Sequence, residues 1–445
     1  MSVTPHTYGH PPPVLLTATL LPISLLFIAN PLLPILLPAT ITDVLPLPRQ
    51  PTLPALQANV GFALLAFVGA VWIVPKIGGA FVEKGLKGRD LLKPGGRTNG
   101  PWVPESLGLP CASLYIALMM LFIPFPFSHL FKGEVLEQFP QRELTLYLSS
   151  LLALLTATLL GFIDDLFDIR WRHKLPIPIV AAVPTLLVYY SVGGVTSVVL
   201  PKGVAGWLTS TGLGWWIDGN VIDLGPIYYI YLVLLPTFTT NSINILAGIN
   251  GVEVTQALII ALSVALNDLL YLPIWPEGFL RFVNVGNPKE GRILEWAAGE
   301  VVDRHLMSLY FMAPLVGVCA GFLWHNWYDS DNGLLNPSRV MFEKPPPART
   351  RITLEILEFL RLVRLERLPV RRNPDNKSQL KSPAKAGQII SSTNLTIINF
   401  LLVHFGPMHE RSLCTLVGAV QIACSGIAFG IRYGVGAWFY GGERR

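Results

Sequence analysis

Three carboxylates, Asp164, Asp165 and Asp168, stand in the stretch Gly161 to Lys174, GFIDDLFDIRWRHK, directly after about twenty uncharged residues. A run of that length can cross a bilayer, and ionised side chains at the mouth of a membrane helix are costly and seldom idle. Asp164 and Asp168 are four apart and share a helical face, with Asp165 about 100° round. Such a cluster suits a hard divalent cation, and an all-oxygen donor set that tolerates retained water points to Mg²⁺ and the phosphates it bridges. Arg170, Arg172, His173 and Lys174 follow at once, so an anion is expected beside the metal. Carboxylate, metal, phosphate and lysine together suggest phosphoryl transfer. The competing reading is plain: acidic residues at a helix end followed by basic ones also mark a membrane surface.

A second polar group runs from Thr239 to Glu253, TTNSINILAGINGVE. Asn241, Asn244 and Asn250 need partners at the end of a span, and hydrogen bonding between helices would supply them. Alternatively, Gly248 and Gly251 break the helix around Asn250 and free backbone N–H groups for a phosphate or sugar, while the Asn244 carboxamide completes the metal shell. The first charged loop, GRDLLKPGGRTNGPWVPES, carries Arg89, Asp90 and Glu105. Alone it is an ordinary polar loop.

The elements that must hold these residues are membrane helices. Of 445 residues 51% are hydrophobic and only 14% charged, with mean hydropathy +0.50, so an all-α polytopic membrane protein is expected. The net charge of +5 sits in a few segments, which excludes a nucleic-acid-binding stripe. Cys111, Cys319, Cys414 and Cys424 lie in or beside apolar runs without CxxC spacing and read as packing residues. The first charged side chain is Asp43, so no cleaved signal peptide is expected. Eight spans are expected near 57–75, 109–127, 145–163, 175–200, 226–245, 252–273, 306–324 and 412–440. Proline-rich residues 14–37 add a possible ninth hydrophobic segment, which spans the membrane or lies in it. Basic residues follow spans one, three and seven, and residues 325–398 hold twelve Lys and Arg. The positive-inside rule makes these segments cytosolic, so both polar groups and the first loop share the cytosolic face. The chain therefore divides into an extension (1–56), a membrane core (57–328), a cytosolic insert (329–392) and a C-terminal segment with the last span (393–445). Within the insert, Arg351–Leu368 reads as a helix with apolar residues nearly all round, packed on the protein body or lying on lipid. Residues 371–387 are polar and read as disordered.

Seven motifs in order carry a resemblance: PES (Pro104–Ser106), IPFPF (Ile123–Phe127), GFIDDLFDIRWRHK, TNSINILAGING (Thr240–Gly251), HNWY (His325–Tyr328), GPMHER (Gly406–Arg411) and IRY (Ile431–Tyr433). On these the chain resembles the eukaryotic UDP-N-acetylglucosamine:dolichyl-phosphate N-acetylglucosamine-1-phosphate transferases, within the polyprenyl-phosphate N-acetylhexosamine-1-phosphate transferase superfamily. The resemblance implies a ten-helix fold in the endoplasmic reticulum membrane, a homodimer, both termini in the lumen and an active site facing the cytosol. It implies transfer of GlcNAc-1-phosphate from UDP-GlcNAc to dolichyl phosphate, with Mg²⁺ as cofactor. Residue by residue, Asn244 with Asp165 would ligate the metal, and Asp164 and Asp165 would sit at the acceptor phosphate. Lys174 would hold dolichyl phosphate, and Asn250 would contact the nucleotide sugar, with Asn241 and Asp168 also lining substrate. Arg89, Asp90, Leu91 and Glu105 would line the uridine pocket.

The match breaks after Tyr328. Family members continue with a loop bearing a metal-ligating aspartate, two spans and an Arg-His-Arg loop that grips the pyrophosphate. Here the chain passes directly to DSDNGLLNPSRV, a gap on the order of 60 residues or more at roughly 20 per span. About two helices of the family fold are thus missing, and an inactive truncated form is the alternative to an active enzyme. A transporter with buried acids and amides along its path is a further alternative, for which inverted repeats would speak; none is visible.

Overall fold

The computed structural model describes residues 9–36, 53–89, 102–127, 141–167, 171–212, 217–272, 300–327, 333–368 and 387–439. Helices dominate because apolar segments in hydrocarbon must satisfy their backbone groups internally. They are α1 (Val14–Leu36), α2 (Pro54–Lys84), α3 (Gly108–Phe122), α4 (Gln141–Phe167), the single turn α5 (Trp171–Lys174), α6 (Ile177–Ser191), α7 (Lys202–Ser210), α8 (Pro226–Leu246), α9 (Val252–Leu269), α10 (Glu300–Asn326), α11 (Ala348–Phe359), α12 (Ile397–Phe405) and α13 (Glu410–Phe429). A π-helical segment, Gly430–Val435, continues α13. Among the described residues eight helical stretches are long and apolar enough to cross a membrane, and α3 is a shorter apolar helix.

The open question about residues 14–37 resolves as a continuous helix, α1, lying along α2. The Ser24 hydroxyl donates to the Gly61 carbonyl at 2.8 Å, and Asn30 donates to Gln57 at 3.3 Å. Prolines do not interrupt it, since neighbouring helices and side chains can compensate freed carbonyls in membrane proteins. Its start lies at the end of α10, where His10 meets the Trp327 carbonyl at 3.3 Å.

Helices α2 and α10 run parallel at the centre. Gly317 and Gly321 face α2 so closely that a Cβ on Gly317 would overlap the Ala63 carbonyl oxygen, and one on Gly321 would stand 2.6 Å from that of Phe67. One turn further, the buried His325 ring meets the Val71 carbonyl at 2.7 Å. Four-residue spacing of small residues lets backbones touch where no hydrophobic force drives association. Around this pair α3 and α4 complete the main core: Tyr147 OH donates to the Met119 carbonyl at 2.7 Å, and Phe62, Phe122 and Phe125 of the IPFPF end cluster edge-on and stacked. At the far end Asp268 pairs with His305 at 2.7 Å and Tyr271 stacks on that imidazole at 3.8 Å. Arg432 lies over Tyr271, and Tyr433 OH donates to Asn267 Oδ1 at 2.8 Å. The IRY motif thereby fastens the π segment to α9 and α10.

The insert holds structure beyond the expected helix. Ahead of it lie the short strands β1 (Lys87–Arg89), β2 (Trp102–Pro104), β3 (Ser197–Val199), β4 (Ile217–Asp218) and β5 (Val221–Asp223); within it β6 (Arg339–Met341), β7 (Leu365–Arg367) and β8 (Ile389–Thr393) form an antiparallel sheet in the order β6-β8-β7. The helix expected over Arg351–Leu368 stops at Phe359. Arg361 takes φ 58°, its N–H returns to the Glu358 carbonyl, and that of Leu362 returns to Leu357 at 2.8 Å, a Schellman ending with arginine where glycine is usual. The reversal delivers Val363 and Leu365 to a small core with Leu354 and Ile389.

Candidate active site

Helix α4 ends at Phe167, and the single turn α5 brings Lys174 back over it. Lys174 Nζ stands 2.9 Å from Asp164 Oδ2, with both side chains only about a fifth exposed (21% and 17%). The other carboxylate oxygen, Oδ1, is buried with no partner among the described residues, and an unpaired buried carboxylate oxygen calls for a donor or a cation. This pair lies at the mouth of a groove of about 450 Å³ between α4, α6 and α8. Thr240, Asn241 and Asn244 complete the polar mouth, while Leu154, Ala157, Ile177, Ala181 and Leu186 line an apolar wall. Asn241 turns its amide back to the Thr237 carbonyl at 2.7 Å, so its donor is used within its own helix rather than between helices.

Asp165, at the next position of α4, lies beside Ser106 and within electrostatic reach of Asp164 and Lys174. The structure thus gathers Asp164, rather than Asp165, with Asn244. Ser106 sits at φ 61°, a conformation costing a non-glycine residue about 1–3 kcal/mol when the surroundings impose it. The strain arises where the chain leaves β2 (Trp102–Pro104), which pairs antiparallel with β1 (Lys87–Arg89), to enter α3. The Glu105 carboxylate lies where a Cβ on Gly88 would stand, so the two strands are in close contact there. Glu105, one residue before Ser106, and the backbone of Arg89 are thus held by one two-stranded ladder. Asp90, Leu91 and Asp168, the Arg89 side chain and Tyr328 lie outside the described residues.

The two glycines behave as their positions require: α8 stops at Leu246, Gly248 takes φ 147°, and Gly251 at φ 79° caps α9. A Cβ on Gly251 would stand 3.2 Å from the Asn326 carbonyl, so the loop is pressed on the end of α10. Of the backbone N–H groups expected to be freed by these glycines for a phosphate or sugar, that of Asn250 is taken, because Glu410 Oε1 accepts it at 2.7 Å. Arg411 lies over the Trp327 ring at 5.9 Å, and Ile249, Val252, Leu413 and Cys414 bury together. Three of the motifs, HNWY, TNSINILAGING and GPMHER, therefore meet in one cluster. Glu410, which holds the Asn250 loop, is a residue of this candidate site that sequence reasoning missed, although its motif stands in the sequence.

Among the described residues no three His, Cys, Asp or Glu side chains are placed to hold a metal. Asp164 Oδ1 and the Asn244 amide in one groove, with Asp165 beside them, make an all-oxygen but partial donor set. That suits a cation that keeps water and takes phosphate oxygens.

The profile of glycosyl transferase family 4 matches residues 147–332. The UDP-N-acetylglucosamine–dolichyl-phosphate N-acetylglucosaminephosphotransferase of Schizosaccharomyces pombe is 32% identical over 465 aligned positions, covering 86% of this chain and 93% of that protein. Its namesake from Saccharomyces cerevisiae is 32% identical over 452 positions, covering 87% and 93%, and that from Dictyostelium discoideum 32% over 385, covering 81% and 85%. Since 86% of 445 residues is about 383, the fission-yeast alignment leaves about 80 of its 465 positions opposite no residue of this chain. The same reckoning gives about 65 for budding yeast and about 25 for the Dictyostelium protein. The two yeast figures are of the size expected for a gap after Tyr328, and the Dictyostelium figure is smaller.

Proposed function

The chain belongs to the UDP-N-acetylglucosamine–dolichyl-phosphate N-acetylglucosaminephosphotransferase family, and from that membership we propose that its groove is the acceptor half of a GlcNAc-1-phosphate transfer site. The observation that carries this is the shape of the groove, a charged and amide-rich mouth above an apolar wall between membrane helices. That is the form needed by a phosphate on a long isoprenoid chain.

In this reading Lys174 holds the acceptor phosphate of dolichyl phosphate. An oxygen of that phosphate bonds to the phosphorus that carries GlcNAc in UDP-GlcNAc, the bond from that phosphorus to the uridylyl phosphate breaks, and UMP leaves with the electron pair. A phosphate monoester has its second pKa near about 6, so attack near neutral pH needs no strong base. The protein's task is to bring two anions together and hold them in line. Asn244 and the aspartate pair would hold Mg²⁺, which when bound offsets phosphate charge. Asn250, steadied by Glu410, together with Arg89, Asp90, Leu91 and Glu105, forms the side toward the nucleotide sugar, with Asn241 and Asp168 at the acceptor. The endoplasmic reticulum membrane, a cytosolic orientation of this face and a homodimer belong to the same proposal.

A second reading concerns the chain as it stands. The gaps against the two yeast proteins favour a chain that keeps the acceptor half and lacks part of the donor half. The test is a chain with the family segment inserted after Tyr328, given radiolabelled UDP-GlcNAc, dolichyl phosphate and Mg²⁺ in membranes. Asn244→Ala or Asp165→Asn should abolish label transfer while leaving membrane insertion intact. Wild-type transfer in either variant would overturn the assignment.

A further inference from the structure

Helix α11 carries two apolar faces. At about 100° per residue, Leu354 and Leu357 point one way, and both join the small core formed with Val363, Leu365 and Ile389. Ile352, Ile356 and Phe359 fall on the opposite side, where they are 54%, 53% and 85% exposed, and Leu360 beyond the helix end is exposed too. This explains why no clean amphipathic stripe is legible: the helix is sandwiched, with the sheet covering one side.

The phase available to cover the other side is the bilayer. The insert leaves the membrane at Asn326 and returns at Glu410. Strand β6 begins 13 residues after the first and β8 ends 17 residues before the second, and chain reach is at most about 3.6 Å per residue. Helix α12 packs directly on the membrane helix α13, and its Ile397 and Phe405 are exposed as well. Charge agrees. Glu366 pairs with Arg339, Glu355 with Arg351 and Glu358 with Arg367, so three of the four glutamates between Arg339 and Leu368 are engaged inside the unit. Arg349 borders the exposed face by helical spacing, and Arg361 follows it at the turn. Basic side chains beside an apolar face suit a lipid surface with anionic headgroups, their stems lying along the acyl boundary. We propose that Ile352, Ile356 and Phe359 form a membrane-docking face that lays the insert on the bilayer beside its own spans.

The test uses the full chain with Cys424 replaced by Ala, the remaining cysteines Cys111, Cys319 and Cys414 being buried. Single cysteines at Ile356, Phe359 or Thr350 are labelled with a nitroxide, and the protein is reconstituted in vesicles of phosphatidylcholine with phosphatidylinositol, or of phosphatidylcholine alone. Labels at Ile356 and Phe359 should show several-fold lower collision with a water-soluble nickel chelate than the label at Thr350, and higher collision with oxygen. R349Q with R361Q should reduce that difference, as should removal of phosphatidylinositol. Equal nickel access at all three positions would overturn the proposal. So would protection accompanied by dipolar broadening between labels that vanishes on dilution with unlabelled protein, because a second copy would then be the cover.

Discussion

Removing the Lys174 ammonium separates two effects that the groove superimposes. A charge-assisted hydrogen bond to the acceptor phosphate contributes about 1.5–3 kcal/mol. Lys174→Ala removes that contact and also leaves Asp164, normally 2.9 Å from the ammonium, as a bare carboxylate facing the phosphate. Unit charges about 4 Å apart at an effective dielectric near 20 interact by about 4 kcal/mol, and solvent reaching side chains about a fifth exposed lowers this to about 1–2 kcal/mol. The single variant should therefore bind a short-chain polyprenyl phosphate about a hundredfold more weakly or worse, at tenfold per 1.4 kcal/mol. Adding Asp164→Asn removes the repulsion and should regain about tenfold of the loss. Calorimetric titration of the purified chain in detergent reads this directly and needs no turnover. Equal affinity of single and double variants, or unchanged affinity after Lys174→Ala, would show that the phosphate does not sit at this pair.

Four further outcomes are expected. The 445-residue chain with Mg²⁺, UDP-GlcNAc and dolichyl phosphate should release no UMP, and the chain with the family segment restored should release it; turnover by the unmodified chain would make that segment dispensable. Glu410→Ala strands the Asn250 N–H at a cost of about 1–3 kcal/mol and should lower thermal stability, and raise the UDP-GlcNAc KM of the restored chain, whereas Glu410→Gln keeps an acceptor and should be mild on both. Gly317→Ala forces a methyl group onto the Ala63 carbonyl and should destabilise by about 1–3 kcal/mol as overpacking does; Gly426→Ala, with nothing within 4 Å, is the control in a melting curve. The sequon at Asn394, whose amide donates to the Ser338 hydroxyl at 2.9 Å, should stay unglycosylated in microsomes, and an endoglycosidase-sensitive gel shift there would reverse the proposed orientation.

Membrane helices and the two glycine breaks around Asn250 were legible because they depend on local properties, apolar length and a backbone that only glycine adopts cheaply. The groove was partly legible: Asp164, Lys174 and Asn244 were all singled out, but the division of labour between Asp164 and Asp165 was not. Adjacent positions on a helix point about 100° apart, and which of them meets Asn244 depends on where α8 packs. The Ser106 contact and the Glu410 clamp were invisible for a similar reason, since each joins residues far apart in sequence. The Gly317 and Gly321 pair could have been found, as the four-residue spacing stands in the sequence. The end of α11 could not, because an arginine at positive φ gives no stop signal of the kind glycine gives.

The contact of α2 with α10 also sets where this chain can drift. Helix α2 leads into the ladder that carries Glu105 and Ser106, and the end of α10 is the surface on which Gly251 rests. Both sides of the site thus take their position from two helices whose backbones come into direct touch at Gly317 and Gly321. On the outward faces of α6 and α8, by contrast, exposed residues such as Val180, Leu187, Ile227 and Phe238 answer only to the need for an apolar surface. Substitutions there should pass unnoticed in the geometry of the groove mouth, while a single added methyl group on the α10 glycines is transmitted to two ends of the site at once.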